Sequence, residues 1–456
     1  MNAPIREFVT NYAAAQPLRL HMPGHKGSAD GADITEIPGA DVLYHPTGII
    51  LESQGNAAAL FGTQRTVYSV EGSSLPIRAM VYLTALYASK SGKRPLIAAG
   101  RNAHKVFITA AALLDVQVRW LYPEGRGNLL SCDITPAGLE ACLKTAREKP
   151  TAVYITSPDY LGNMADVAGL SRVCRKFGCL LLVDNAHGAY LHFLPESCHP
   201  MALGADLCCD SAHKTLPVLT GGAYLHISKT APAFFTEAAD AAMALFASTS
   251  PSYLILQSLD DANVKLSSSW TQALHRAAGE WEEAKQRLER GGYCLVGQEP
   301  LKLTLLPKSY GYTGDDLAHI LEEKNIYCEF SDPDHLVLML PVEYDRGLPD
   351  RLTQTLLSIP RRAPITTAPP ALGQAEAVLS PHEALFRPAQ TVSIQNALGK
   401  IMADPTVSCP PAIPVVCSGE RIEKWAVDAM EYYGIEKVRI IQTIPEQLGK
   451  LLFIVS

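Results

Sequence analysis

In DSAHKTLPVLTGGAYLH, residues 210–226, a lysine follows a histidine in a polar break between an apolar run and a pair of glycines. Neither a core nor an ordinary solvated face asks for a lysine there. An amine held in a partly desolvated pocket is a nucleophile toward aldehydes, so Lys214 is a candidate to form a Schiff base. Pyridoxal 5'-phosphate is the commonest such aldehyde, and it makes three further demands. Its pyridine nitrogen needs a carboxylate, its phosphate needs backbone donors, and its ring needs something flat or apolar on each face.

Each demand has a candidate. Asp184 ends the apolar run CLLLV and so stands at the carboxyl edge of a strand. An opposite charge within about 4–6 Å moves a pKa by roughly 1–3 units, enough to keep a pyridine nitrogen protonated; taken alone, Asp184 could equally cap the next turn. In EGSSLPIRAMVYLTALYASKSG, Gly72 precedes Ser73 and Ser74 as N-cap candidates, Leu75 and Pro76 open the helical pattern, and Gly92 lies past its end. A helix start offers unpaired N–H groups and about half a positive charge to a phosphate, although Ser-capped helices are common. His104 in RNAHKV can lay its ring on one face of the cofactor and Ala186 can pack on the other. Ser211 and His213 flank the lysine and can reach phosphate oxygens or bond within their own turn.

The elements that must position these residues are legible as short apolar runs between 67 and 227: TVYSV, PLIAAG, VRWLYP, AVYITS, CLLLVDNAH, ADLCCDSAHK and GGAYLHIS, separated by helix-length segments. Runs of this kind predict an α/β fold around a mainly parallel sheet covered on both faces, with ligands at the carboxyl ends of its strands. Residues 253–291 read as long helix, and a small α+β unit follows. SIPRRAPITTAPPALG is a proline-rich linker or wrapping segment, and the last part carries strand-like AIPVVC, VRIIQTI and LLFIV. The expected divisions are an N-terminal segment 1–60, a large domain 61–292, a small domain 293–360 and a C-terminal domain 373–456.

Composition narrows the function classes. With 456 residues, 47% hydrophobic, 19% charged and a formal net charge of −7, the chain is a globular protein without a broad basic field for nucleic acid or anionic membrane. The N-terminus has no basic start followed by a continuous apolar block, which predicts a cytoplasmic protein. Eleven scattered cysteines suit free thiols better than disulfides or zinc, and Pro23 and Gly24 argue against a helical metal pair at His21 and His25. No metal site is expected.

LHMPGHKG, DITEIPGADVL, RNAHKV, VDNAHGAYLHF, DSAHKTL, STSPSYLILQSLD and CPPAIPVVCSGE, taken together, resemble the Orn/Lys/Arg decarboxylase family, in its shorter form. The resemblance implies the aspartate-aminotransferase fold (fold type I) and pyridoxal phosphate as cofactor. It implies Lys214 as the Schiff-base lysine, Asp184 as partner of the pyridine nitrogen, His104 as the stacking histidine, and Ser211 and His213 as phosphate or carboxylate contacts. Thr249 and Ser250 would be offered to a neighbouring subunit's cofactor, hence a homodimer with active sites at its interface, open to higher assembly. Glu420 or Asp41 would bind the far cation of the substrate. Two departures from the family pattern bear on the phosphate helix and the distal pocket: GSSLPI carries Pro76 and Ile77, and Ser418 replaces a proline. The implied reaction is loss of the α-carboxylate of lysine, ornithine or arginine, with Lys214, His213 or His187 returning a proton to Cα. An aminotransferase or another lyase of the same fold is the alternative, which would need a guanidinium such as Arg78, Arg101 or Arg361; a non-catalytic relative that keeps the cofactor pocket is the third reading.

Overall fold

The computed structural model describes residues 1–123, 128–405 and 412–442. The chain enters as helix α1 (Pro4–Ala14), and α2 (Ile49–Phe61) follows a long irregular stretch. The side chain of Ala3 gives α1 no cap; instead the Asp260 carboxylate, far along the chain, accepts from the first free amides, Ile5 N–H at 2.8 Å and Arg6 N–H at 3.0 Å.

All seven apolar runs are strands: β1 (Arg65–Ser69), β2 (Leu96–Gly100), β3 (Gln117–Leu121), β4 (Ala152–Thr156), β5 (Leu180–Asp184), β6 (Leu207–Asp210) and β7 (Ala223–Ile227). They form one sheet in the order β1-β7-β6-β5-β4-β2-β3. Neighbours from β6 to β3 are parallel. Strand β7 runs against both β6 and β1, so β1 points the same way as the rest. Every strand but β7 therefore delivers its carboxyl end to one edge, which β7 meets with its amino end at Gly221 and Gly222.

The strands read as unbroken apolar runs because both faces are covered: β2, β5 and β7 are buried throughout. Side chains still alternate. Tyr154, Leu182 and Cys209 enter the core that includes Leu75 and Phe107 of α3 (Ser74–Ser89) and α4 (Lys105–Leu113). Val153, Leu181 and Cys208 face the other core, with Leu139 and Leu170 from the helices at 136–145 and 167–177.

Two expectations need correction here. The segment read as a single long helix is two, Tyr253–Leu266 and Trp270–Arg290. Between them Ser267 and Ser268 donate their hydroxyls back to the carbonyls of Val264 and Lys265, a local alternative to the helical ladder. Beyond lies an antiparallel sheet of β8 (Leu295–Val296), β9 (Lys302–Leu305), β10 (Phe330–Ser331) and β11 (Leu336–Met339), in the order β10-β11-β9-β8. Near the end β12 (Ala389–Ser393) pairs with β13 (Lys437–Ile441), the strand within VRIIQTI. AIPVVC forms no strand: Pro414 lacks a donor, and the Pro414 and Val415 carbonyls bind the Arg101 guanidinium at 3.0 and 2.9 Å. LLFIV lies outside the described residues. Among those described, no helix is long and apolar enough to cross a membrane, and the cysteines are free thiols.

Candidate active site

The carboxyl edge of the sheet, together with Glu329 and the 412–413 segment, lines an open cavity of about 160 Å³. Lys214 and Asp184 both line it. Lys214 lies in the single helical turn that follows β6 (Ala212–Thr215), and its Nζ stands 3.0 Å from His187 Nε2. Burial pulls the Lys214 amine below its ordinary pKa, partly offset by the carboxylates of Asp184 and Glu329, while the ammonium of Lys302 adds to the lowering. A lysine in this condition is more readily a free amine than one in water.

Asp184 closes β5 and is buried, with Tyr154 Oη donating to Oδ2 at 3.0 Å and Ala186 N–H donating to Oδ1 at 3.2 Å. The Sγ–H of Cys209 approaches Oδ1 at 3.6 Å. These donors fix the carboxylate in one orientation. His104 and Ala186 line the same cavity. His104 is the N-cap of α4: its Nδ1 accepts the Val106 N–H at 3.2 Å, which leaves the ring proton on Nε2, and burial keeps the imidazole neutral by lowering its pKa. His187, after Ala186, is also held neutral, first by burial and then by the charges of Lys214 and Lys302. Its ring meets Tyr160 edge-on at 5.2 Å between centroids, and its buried Nδ1 has no hydrogen-bond partner.

The residues expected to meet a phosphate lie in the turn between β1 and α3. Gly72 has φ +67, and its N–H donates to Gly221 O at 2.7 Å, docking the turn against the start of β7. Ser73 is the N-cap of α3, yet its side chain caps nothing; it accepts from Ser211 Oγ at 2.8 Å. Ser74 and Leu75 are then the first helical residues, Pro76 brings no donor, and Ile77 points into the core at 2% exposure. The helix start is therefore open to an anion. His213 faces this turn: its Nδ1 lies 2.9 Å from Gly222 O, and a Cβ placed on Gly72 would stand 3.9 Å from His213 Cε1. His213 does not line the Lys214 cavity; of the two histidines considered for returning a proton, the structure brings only His187 to it.

Thr249 and Ser250 are exposed and outside the chain's own cavity. Their loop is pinned by Ser248 N–H donating to Glu71 Oε1 at 2.7 Å, and Ser252 caps the next helix by accepting from Ile255 N–H. The two acids expected at the distal end are both engaged within the chain's own fold. Asp41 has φ +71 and spends its carboxylate on the N–H groups of Val42, Thr47, Gly48 and Ile50; burial opposes its charge, but those donors keep its pKa low. Glu420 is buried against the Arg101 guanidinium at 3.3 Å and accepts from Cys417 N–H at 2.7 Å. Neither lines the Lys214 cavity.

Glu329, Tyr160, Asn102 and Thr156 do line it, and sequence reasoning missed all four. Glu329 precedes β10, is exposed, and accepts from Tyr160 Oη at 2.9 Å. Asn102 and Thr156 follow or end strands, the position that flagged Asp184, but a lone polar residue there carries little signal. Among the described residues lining the cavity there is no arginine; Arg101 is spent on Glu420, and the Arg361 guanidinium lies over the ring of Tyr310 at 5.7 Å.

Comparison with known proteins places this arrangement. An uncharacterised protein of Bacillus subtilis (strain 168) is 29% identical over 463 residues, covering 94% of each chain. A B. subtilis arginine decarboxylase is 29% identical over 460 residues, covering 92% of this chain and 91% of its own. Among solved structures, the Francisella novicida lysine decarboxylase LdcF superposes with a TM-score of 0.77 at 15% identity, over 97% of this chain and 81% of its own. That likeness establishes the fold, fold type I of the pyridoxal-phosphate enzymes. Residues 3–299 match the major domain of the Orn/Lys/Arg decarboxylases, and the chain belongs to that family.

Proposed function

We propose that the protein removes the α-carboxylate of a basic amino acid as CO2 and releases the corresponding amine, as a pyridoxal-phosphate enzyme of polyamine metabolism, working in the cytoplasm as a homodimer. The observation that carries this reading is the meeting, in one cavity, of a desolvated amine at Lys214, a buried carboxylate at Asp184 and an accessible carboxylate at Glu329. The donor set fits the cofactor, for the buried Nδ1 of His187 and Oγ1 of Thr156 are without hydrogen-bond partners at the cavity wall.

Pyridoxal phosphate, when bound, supplies an aldehyde for amine exchange and a protonated ring that takes up the electron pair released at Cα. Lys214 would hold the aldehyde carbon through Nζ. Asp184 would hold the proton on the ring nitrogen, His104 and Ala186 would flank the ring, and Ser73, Ser74, Leu75, Ser211 and His213 would surround the phosphate. Thr249 and Ser250 would reach the partner subunit's cofactor. Glu329, oriented by Tyr160, would take the distal cation and so set which end of the substrate faces Lys214. Cleavage breaks the Cα–carboxylate bond and sends its carbon off as CO2; the electron pair left behind needs one proton at Cα. His187 Nε2 and Lys214 Nζ, 3.0 Å apart, would deliver it. The described cavity wall holds no guanidinium to keep the α-carboxylate, which favours its loss over transamination.

Incubating the purified protein with pyridoxal phosphate and lysine, ornithine or arginine tests this. Release of CO2 matching the amine formed, without accumulation of pyridoxamine phosphate, is the expected outcome. Pyridoxamine phosphate formed in step with a keto acid would replace the reading by an aminotransferase, and a visible absorbance band from bound cofactor with no turnover would replace it by a binding protein.

A further inference from the structure

Beneath the cavity lies a fully buried polar knot that the reaction does not touch. Asp210, the last residue of β6, accepts from His199 Nε2 at 2.9 Å and His226 Nε2 at 3.0 Å through Oδ2, and from Asn185 Nδ2 at 2.7 Å through Oδ1. All of these side chains are sealed from solvent. His199 Nδ1 accepts the Met201 N–H at 3.2 Å, and a backbone amide can only donate. The proton of a neutral His199 is therefore on Nε2 and aimed at Asp210. Although His199, Cys208 and Asp210 are close enough to hold a metal ion, the lone pair that an ion would need is not there. His226 Nδ1 pairs with Thr66 Oγ1 at 2.9 Å, so the knot runs out to β1. Burial opposes a charge on Asp210, but the two imidazoles outweigh it and keep the carboxyl ionised.

The position of this carboxylate in the chain gives it a second consequence. Asn185 directly follows Asp184 and precedes Ala186 and His187, while Asp210 directly precedes the Ser211–Lys214 turn. This side-chain hydrogen bond adds to the backbone one from Asn185 N–H to Cys209 O at 3.0 Å in tying together the roots of the two segments that carry the amine, the ring carboxylate and the proton donor. A Cβ at Gly188 would come within 2.1 Å of Asn185 Oδ1, so the chain keeps a glycine where the Asn185 amide needs room. We infer that Asp210 is a positioning residue for the chemistry at Lys214, setting the spacing of the Asp184–His187 and Ser211–Lys214 segments through Asn185. The catalytic part of this inference rests on the reading proposed above; the structural part does not.

Asp210→Asn tests both. However the new amide is turned, its NH2 group opposes a donor, either the His199 and His226 pair or Asn185. Amide exchange in peptides spanning 185–188 and 211–214, measured without cofactor, should quicken at least about tenfold. In holoenzyme, kcat per bound cofactor should fall about 10- to 100-fold with KM within about twofold, the effect of a misplacement on the order of 1 Å. Thr66→Val cuts the same knot at its far end and should leave both readouts near wild type while lowering the melting temperature. Asn185→Ala removes the side-chain tie while keeping the backbone bond to Cys209 O, guards against misfolding of Asp210→Asn, and should reproduce its effects, the double variant losing less than the sum. The inference is overturned if Asn185→Ala leaves exchange at 211–214 unchanged, or if Thr66→Val slows kcat as much as Asp210→Asn. Should the wild type turn over no amino acid, the proposed function falls while the exchange measurements still decide the tie.

Discussion

Glu329 and Glu420 are both carboxylates near the mouth of the large sheet, and they are in opposite states. Glu420 is 3% exposed, faces the guanidinium of Arg101 and accepts a backbone amide. Glu329 is exposed, lines the Lys214 cavity and holds one hydroxyl, that of Tyr160. The first has spent its charge on the fold; the second has charge left for a ligand. The contrast teaches that an acid in a motif is a candidate for substrate binding only when its neighbours leave it unneutralised.

Substitution at each acid sharpens or breaks this contrast. Glu420→Gln leaves Arg101 charged and buried without its counterion, so a loss of stability of about 3 kcal/mol is expected, read as the denaturant midpoint. The folded fraction should keep kcat/KM within about threefold; a large rise in KM instead would return Glu420 to the distal role. Glu329→Gln should do the reverse, lowering kcat/KM for a basic amino acid about 100-fold, mostly through KM and equivalent to about 2.7 kcal/mol, with little change in stability. An unchanged KM would remove Glu329 from substrate binding. Asp260, the clamp on α1, is a third case. Burial, outweighing its hydrogen bonds from Ser53, Arg6 and Ile5, raises its pKa to about 6. A carboxyl whose folded pKa exceeds its unfolded value of about 3.9 stabilises the fold most below that pH, and the contribution is lost as pH rises through about 6. Comparing wild type with Asp260→Asn in urea between pH 4 and 8 should show about 1–2 kcal/mol of pH dependence removed from that window.

Much of the large sheet was legible because strands buried on both faces leave continuous apolar runs, and Asp184, His104 and Lys214 were legible as candidates because polar residues at the ends of such runs have little reason to be there unless something binds; Ala186 followed only from its place two after Asp184. The legible set stops at residues brought in from a distance. Glu329 meets Tyr160 across 169 positions and Glu420 meets Arg101 across 319. No local pattern encodes either meeting, which is why the late GE motif pointed to Glu420 and nothing pointed to Glu329. The break after Leu266 was hidden for a different reason: serines continue a helical pattern acceptably until, as at Ser267 and Ser268, their hydroxyls turn back onto the preceding carbonyls. The buried knot at Asp210 left no signal, since an aspartate before Ser211 reads as one more polar residue beside the lysine.

The turn after β1 leaves α3 without a side-chain cap, because Ser73 is occupied with Ser211. A bare helix start of this kind favours oxyanions generally and distinguishes poorly among them. With the coenzyme's tail in the berth proposed for it, sulfate or inorganic phosphate in a preparation buffer should compete for the same place, and the rate of coenzyme loading should then depend on the salt from which the protein was last dialysed.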